Sequence, residues 1–316
     1  MVHMAGLESI IRLRGGIENV ERNSGLGRMI FGYVESSDSC PGLQIHTLLT
    51  AHADWCPNSV DISGGYRQDI TPRFRLPKKV LQDIHDAAPR NPHFDSVYKP
   101  RPWREHFPPG NPVSTAFDEI VTAIQYTKKK AERGEVWMRV EFSTFWIDPI
   151  SHNLLGHRAE YSTENLLGIM QGAVRLGIIL FFCEIRRKCG ALAVRSTLYV
   201  RKLKDFLVTI GCGIDWSPSY AMLLWSLFFG VLESWREGLR EDLGEEHEWL
   251  LKSVAWVANE MELDTWDAVV VSVREFLWIE PIHDDEVDQF RDVFQAKLRE
   301  VREGKGVHEQ AQHQRQ

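Results

Sequence analysis

Cysteine is scarce in this chain and scattered along it. The 316 residues include only five cysteines, which are Cys40, Cys56, Cys183, Cys189 and Cys212. Their number is odd and no CxxC pair occurs, which argues against a disulfide framework. No apolar stretch of the kind found in a secretory leader stands near the N-terminus. We therefore expect an intracellular protein whose thiols are reduced.

Long uncharged apolar runs are also missing. The most apolar stretches are Leu176–Cys183 and Tyr220–Leu232, and each is shorter than the roughly 18–20 residues that a membrane-spanning helix needs. We expect both to be buried core helices and the protein to have no membrane association. Signals for β-hairpin turns are absent, whereas apolar residues recur at helical spacing. The sequence therefore predicts an all-α fold.

Motifs that carry enzyme chemistry are absent too. The chain has no HExxH pair, no GxSxG and no Walker lysine motif. Gly211–Gly213 begins like a dinucleotide-binding GxGxxG motif but lacks its last glycine. His152 and His157 are five residues apart, a spacing that does not place two metal ligands on one helix face. We predict no catalytic, cofactor-binding or metal-binding residue.

One acidic motif leaves an enzymatic alternative open. Asp284-Asp285-Glu286-Val287-Asp288 has the DDxxD pattern with which all-helical terpene cyclases and prenyltransferases hold magnesium on a diphosphate. That family carries the motif much earlier in the chain, with a second metal motif after it, and no second motif follows here. The simpler interpretation is an acidic first turn, which the helix dipole favours. The alternative is a divergent, magnesium-dependent terpenoid cyclase that uses Asp284, Asp285 and Asp288.

Charge is distributed unevenly. The formal net charge is −7, which does not favour binding of nucleic acid by the whole chain. Residues 233–303 hold 20 acidic and 8 basic side chains, a local charge of −12 that leaves about +5 elsewhere. A basic stretch from Arg186 to Lys204 has two interpretations. It is a solvated helix face, partly paired with the acidic third, or a surface for an anionic partner.

Prolines divide the chain, since ten of the fourteen lie between Pro57 and Pro112. They predict a mostly irregular connection over about residues 55–112, with one short helix near Lys79–Ala87. Helices are predicted on either side of it, and residues 1–303 are predicted to form one domain. Residues 304–316 have little to bury and predict a disordered tail. The predicted helices begin or lie as follows: Leu7–Leu13; Leu26–Glu35; from Ser114, with the stripe Phe117, Ile120, Val121 and Ile124; from Ser162 or Thr163; from Ser217-Pro218; and from Asp264.

Tryptophan is abundant, with eleven in the chain. Six of those in the C-terminal half lie mostly on apolar helix faces: Trp225, Trp235, Trp249, Trp256, Trp266 and Trp278. Aromatic side chains of this kind usually fill the core. They also line small-molecule cavities between helices. Both interpretations stay open.

Two segments at opposite ends of the chain resemble a known regulatory domain. Ala5–Ile17, AGLESIIRLRGGI, is similar to the "HxxGLxxLVxLRGGL" segment of the fungal-specific transcription factor domain. Trp266–Val269 followed by Phe276–Asp284, FLWIEPIHD, is similar to that family's closing "WxxVxxxLxxFLWIxxIHD". Each segment is a packing signature, and the two stand in the family's order with a variable helical middle between them.

The resemblance implies an all-helical regulatory domain of fungal metabolism, chiefly secondary metabolism, with a nuclear or nucleocytoplasmic location. It implies no catalytic residue and no cofactor. In that family the domain follows a zinc binuclear cluster of six cysteines, which this sequence does not contain. We therefore expect DNA contact only indirectly or through a missing N-terminal zinc cluster. The expected partners are other transcription regulators or a second copy of the chain, and a small-molecule effector. A non-catalytic scaffold or dimerisation module is the remaining alternative.

Overall fold

The structure is a computed structural model of the 316-residue chain. It describes residues 61–76, 101–130, 146–157, 166–188, 196–210, 214–236 and 243–313, together with Arg12, which is helical and exposed. Of the described residues 82% are helical and none lies in a strand. The predicted all-α fold is thus confirmed. The predicted helices Leu7–Leu13, apart from Arg12, and Leu26–Glu35 lie outside the described residues, as does Lys79–Ala87.

Eleven helices occur in the described part of the chain. They are α1 (61–68), α2 (Trp103–His106), α3 (Pro112–Lys130), α4 (Asp148–Gly156), α5 (Leu166–Lys188), α6 (Thr197–Thr209), α7 (Tyr220–Trp235), α8 (Gly244–Glu260), α9 (Trp266–Arg274), α10 (Glu280–Val287) and α11 (Arg291–His313). Short 3₁₀ turns, Ser217–Ser219 and Asp288–Phe290, precede α7 and α11.

Helix α7 lies at the centre of the fold. Its sequence is apolar on every side, and a helix of that kind is stable only when other helices surround it. It contacts α5, α6, α8 and α9, and its residues from Met222 to Ser234 are buried. Gly177 on α5 marks the closest approach, because a Cβ there would lie 2.9 Å from the Cα of Ser226 on α7. The two central helices therefore pack backbone to backbone at this point.

Helix α5 is the one described helix that is long and apolar enough to cross a membrane. Its most apolar window has a mean hydropathy of 2.0, and 83% of that window is buried inside the protein. Near its C-terminal end it also carries the buried ion-pairing side chains Glu184 and Arg186. Such burial is that of a core helix, the structure that the sequence predicts for this stretch.

Three helices start at residues other than those predicted, and the predicted start at Ser162 or Thr163 lies outside the described residues. One of the three is α7, which begins at Tyr220 after the 3₁₀ turn Ser217–Ser219 rather than at Ser217-Pro218. The apolar stripe of α3 is buried as predicted, but α3 begins at Pro112 rather than at Ser114. Asn111 caps it, since its Oδ1 accepts a hydrogen bond of 2.9 Å from the Val113 N–H. Likewise Thr265, not Asp264, caps α9 by accepting from the Ala268 N–H at 3.2 Å. In these last two cases the chain holds neighbouring capping residues, and tertiary packing selects between them.

The proline-rich connection is more regular than predicted. Helix α1 occupies 61–68, because Ile62 and Tyr66 stand one turn apart and are both buried in the core. The glycine at position 65 suits its place, since a Cβ there would lie 2.9 Å from the Ile70 carbonyl oxygen. Helix α2 adds a second short turn. Contacts distant in sequence thus stabilise a segment that local sequence predicts to be irregular.

The C-terminal helix α11 extends to His313, so the backbone of residues 304–313 is helical where the sequence predicts disorder. No proline interrupts this segment, and several of its residues, including Glu309, Gln310 and Ala311, are good helix formers. The helix therefore continues by its own backbone hydrogen bonds beyond the last described buried residue, Leu298.

Candidate functional site

The connection from α9 to α10 at Phe276–Ile279, together with the first turn of α10 as far as His283, lies largely inside the core. Phe276, Leu277, Ile279 and Ile282 are all buried. The Leu277 carbonyl oxygen accepts a hydrogen bond of 3.1 Å from Nε1–H of Trp225, at the centre of α7. An irregular segment can be buried only when its backbone polar groups find such partners. This closing segment is therefore a junction to which the central helix is bonded directly.

His283 is enclosed by aromatic rings at this junction. The centroid of its ring lies 5.0 Å from that of Phe181, 5.0 Å from that of Trp278 and 5.3 Å from that of Phe229. The Ile279 N–H donates to its Nδ1 at 3.1 Å, so the proton of the neutral ring resides on Nε2. Among the described residues nothing accepts a hydrogen bond from that Nε2. Burial, and after it the nearby Lys188, lowers the pKa of His283 from 6.5 to about 3.

A polar clasp covers the outer side of the same junction. Oδ1 of Asp284 accepts hydrogen bonds from Nε1–H of Trp278 at 2.7 Å and from Nη2–H of Arg274 at 2.9 Å. The Arg274 guanidinium also lies over the Trp278 ring, 5.2 Å from its centroid. The clasp holds Trp278 in place over His283.

The DDxxD residues have partners of their own. Asp284 belongs to the clasp, and Asp288 accepts a hydrogen bond of 3.0 Å from Arg291. The side chain of Asp285 lies outside the described part. Among the described residues, no group of three histidine, cysteine or acidic side chains is arranged to hold a metal ion. Magnesium on Asp284 and Asp288 would compete with Arg274 and Arg291 for these carboxylates.

The histidines considered as metal ligands bond to backbone instead. His152 lies with Nε2 2.8 Å from the Phe74 carbonyl oxygen, and His157 lies with Nδ1 2.7 Å from the Asn153 carbonyl oxygen. The His152 contact joins α4 to the segment that follows α1. The His157 contact joins the residue just after α4 to the last turn of that helix.

The basic stretch from Arg186 to Lys204 is extensively ion-paired in its described part. Arg186 is buried against Asp148, and Lys202 reaches Asp69 at 2.5 Å. Pairing with the acidic third also occurs, as Arg187 bonds to Glu233 and Arg201 lies 3.5 Å from Glu246. Neither interpretation from the sequence includes the burial of Arg186, because helical periodicity alone does not reveal it.

Tryptophans fill the core and also line a surface groove. Trp225, Trp266 and Trp278 are buried, whereas Trp256 is 39% exposed. Trp249 and Trp256 of α8 line a shallow groove beside α11 of about 430 Å³, which we call the Trp256 groove. Its other lining residues are Lys252, Ser253, Lys297, Glu300 and Val301.

His283 makes the stability of the fold depend on pH. The pKa of His283 is lower in the folded chain than in the unfolded chain. As the pH falls below 6.5, the unfolded chain therefore binds a proton at His283 that the folded chain does not bind. We expect His283 to remove about 2 kcal/mol from the free energy of unfolding between about pH 7 and about pH 5. Urea unfolding followed by circular dichroism at both pH values measures this change in the free energy of unfolding.

The variant His283→Asn isolates this contribution, because asparagine keeps an acceptor for the Ile279 N–H but does not titrate. Glu119 acts in the opposite sense: burial, and after it Asp118, raises its pKa to about 7, so its contribution to stability grows as the pH falls from neutrality. Glu119 is present in both proteins and cancels in their difference. Equal pH dependence of wild type and His283→Asn would show that His283 does not titrate as described.

The junction and the Trp256 groove are features that sequence patterns reveal only in part. The closing motif draws attention to Phe276–Asp284, but no pattern predicts that Trp225 bonds to it.

Comparison of the chain with protein-family models, with curated proteins and with solved structures found no match.

Proposed function

We propose that this chain is a transcription regulator-like protein of fungal secondary metabolism that acts in the nucleus. It works through contacts with other regulators or a second copy of itself, or by sensing a metabolite, and it leaves DNA reading to a zinc cluster elsewhere or to a partner. It has no catalytic role in this proposal.

The observation that carries the proposal is the placement of the closing motif. A packing signature should form contacts that hold a domain together, and Phe276–His283 does so by bonding to Trp225 and enclosing His283. The motif that resembles the regulatory domain thus packs directly against the central helices α5 and α7. The opening motif, Ala5–Ile17, lies outside the described residues except for Arg12.

The Trp256 groove supports action through protein contacts. Large aromatic side chains are enriched at protein interfaces, where they contribute much of the binding energy. Trp256 is held by an edge-to-face contact with Tyr220, at 5.7 Å between ring centroids. Its ring is therefore positioned before any partner arrives, which lowers the entropic cost of binding.

A tethering experiment tests the function. The full chain is fused to an unrelated DNA-binding domain and directed to a reporter promoter in a fungal host, with the DNA-binding domain alone as reference. We expect the fusion to change reporter output and the variant Trp256→Asp to reduce that change. Val271→Asp, at an exposed valine on α9, is the matched control and should leave the change intact.

Two results would contradict the proposal. A folded, nuclear fusion that leaves the reporter unchanged would remove the regulatory function. Specific retardation of promoter DNA by the purified chain at physiological salt would contradict the indirect mode of DNA contact.

A further inference from the structure

The Trp256 groove combines an apolar lining with charged side chains. Trp249 and Trp256 of α8 and Val301 of α11 supply the apolar part. Its volume of about 430 Å³ is at the lower end of the range for ligand sites, but those sites enclose most of their ligand. A shallow groove of this size instead suits one or two anchoring side chains of a larger partner.

Two carboxylates with exposed surface are bonded to one lysine of the groove. Nζ of Lys297 donates to Glu248 at 2.5 Å and to Glu300 at 2.8 Å. The Lys297 side chain is 11% exposed, whereas those of Glu248 and Glu300 are 47% and 60% exposed. The lysine is therefore enclosed and the carboxylates reach solvent. Each carboxylate has about four lone-pair sites, so it can accept further hydrogen bonds from a partner.

Of the two lysines that line the groove, Lys252 is the more exposed. Its Nζ lies 3.3 Å from Oε1 of Glu248, four residues earlier in α8, and about half of each side chain is exposed. An ion pair between exposed side chains contributes little to stability, because water and salt screen it. A cation of a partner can therefore take the place of Lys252 at Glu248.

The surrounding charge favours a basic partner. Residues 244–303, which include α8 and the part of α11 that lines the groove, hold 16 acidic and 6 basic side chains, a net charge of −10. Ion pairs within this segment leave its net charge unchanged. Its field therefore attracts cations and repels anions, and the effect weakens as salt is added. Charge complementarity then requires positive charge on the partner.

Arginine is the cation that fits both the rings and the carboxylates. Its planar guanidinium stacks on an indole ring while its N–H groups pair with carboxylate oxygens. The protein already contains this arrangement in the polar clasp, where Arg274 lies over the ring of Trp278 and bonds to Asp284. The Trp256 groove offers the same two groups to a partner, the partly exposed ring of Trp256 and the carboxylate of Glu300.

We propose that the Trp256 groove binds a basic, amphipathic segment of a partner protein. An apolar side chain of that segment packs against Trp249 and Val301, and an arginine stacks on Trp256 and pairs with Glu300. This partner chemistry rests on the proposed function, in which the chain acts through contacts with other proteins.

Binding of two synthetic peptides to the purified full chain tests the groove. Both peptides are short, fluorescently labelled and amphipathic, with the same leucine and phenylalanine side chains. Their polar positions are arginine in one and glutamate in the other. We expect fluorescence anisotropy at physiological salt to show saturable binding of the arginine peptide alone, and weaker binding as potassium chloride is added. Trp256→Ala should weaken that binding about tenfold, because it removes an aromatic anchor of the interface.

Charge variants separate the groove from general attraction of cations. Glu300→Gln should weaken binding of the arginine peptide about threefold. Glu275→Gln removes the same charge at an exposed glutamate outside the groove and should bind as wild type does. Lys252→Gln removes the competing cation and should strengthen binding. Equal binding of the two peptides would overturn the proposal, as would equal weakening by Glu300→Gln and Glu275→Gln.

Two further results distinguish other occupants and other causes of failure. A chain that is dimeric in sedimentation experiments and becomes monomeric in Trp256→Asp would overturn the proposal, because a second copy would then occupy the groove. The peptide titrations involve no promoter. A reporter left unchanged while the arginine peptide binds would therefore remove the proposed function and leave the partner chemistry of the groove standing. A reporter response without peptide binding would do the reverse.

Discussion

Replacement of Trp225 by alanine is expected to lower the free energy of unfolding by about 3–5 kcal/mol, the range for large-to-small changes of buried aromatic residues. Trp225 has no exposed surface, and its ring packs against Phe117, Phe181 and Phe229 at centroid distances of 5.0–5.9 Å. The substitution leaves a cavity between α3, α5 and α7. It also removes the donor that satisfies the buried Leu277 carbonyl oxygen.

Urea unfolding followed by far-ultraviolet circular dichroism measures this loss. Trp256→Ala is the matched control, because it is the same substitution within a helix but at a partly exposed ring. We expect it to cost no more than about 1 kcal/mol. Trp225→Phe keeps most of the volume and loses the hydrogen bond, so its cost combines the bond to Leu277 with that of a much smaller cavity. A Trp225→Ala protein as stable as Trp256→Ala would contradict the central place of α7.

The helical framework is the part of this fold that local sequence predicts well. Apolar residues recur at helical spacing in α3, α7 and α9, and the faces that they predict are buried. Helix starts are less predictable, because Asn111 and Ser114, or Asp264 and Thr265, are all acceptable caps. Which of them caps the helix depends on where packing against the rest of the core makes the helix begin.

Helix α1 could not be predicted, because its stability comes from distant contacts. Its glycines and the prolines around it predict irregular backbone. Tyr66 compensates for them by packing edge-on against Tyr199 of α6 at 5.7 Å, and its carbonyl oxygen accepts a 2.6 Å hydrogen bond from the hydroxyl of Tyr199. These partners are 133 residues apart in sequence, a separation that no local pattern spans.

The polar part of the candidate sites was unpredictable for a similar reason. Glu184, Arg187 and Lys188 have the spacing of ion pairs on one helix, a pattern usually found on a solvated face. Glu233, near the end of α7, and Arg236, the residue just beyond it, are three residues apart and also form an ion pair. Only the packing of α5 against α7 brings the two sets together and buries their carboxylates. This network of ion pairs is therefore a product of tertiary structure.

The interior of α5 also contains a charge whose removal should be severe. Arg186 bonds to the buried carboxylate of Asp148 at the start of α4, and its Nη2 donates to the Ser63 hydroxyl of α1 at 2.9 Å. Its guanidinium lies over the Tyr66 ring, 4.8 Å from the centroid. Burial by itself would lower the pKa of Arg186, but Asp148 together with Tyr66 and Cys183 raises it. One side chain thus joins three helices.

Arg186→Met should therefore cost about 3–5 kcal/mol in unfolding free energy, because it removes the arginine that pairs with the buried carboxylate of Asp148. Arg186→Met combined with Asp148→Leu removes both charges, so we expect the double variant to be more stable than Arg186→Met alone. Arg291→Met, at an exposed arginine that pairs with Asp267 and Asp288, is the control and should unfold at the urea concentration of wild type within error. If the double variant loses the sum of the two single losses, Arg186 and Asp148 are not coupled. Recovery in the double variant would show that the fold tolerates an apolar contact here, and that the charge of Arg186 is needed only because Asp148 is present.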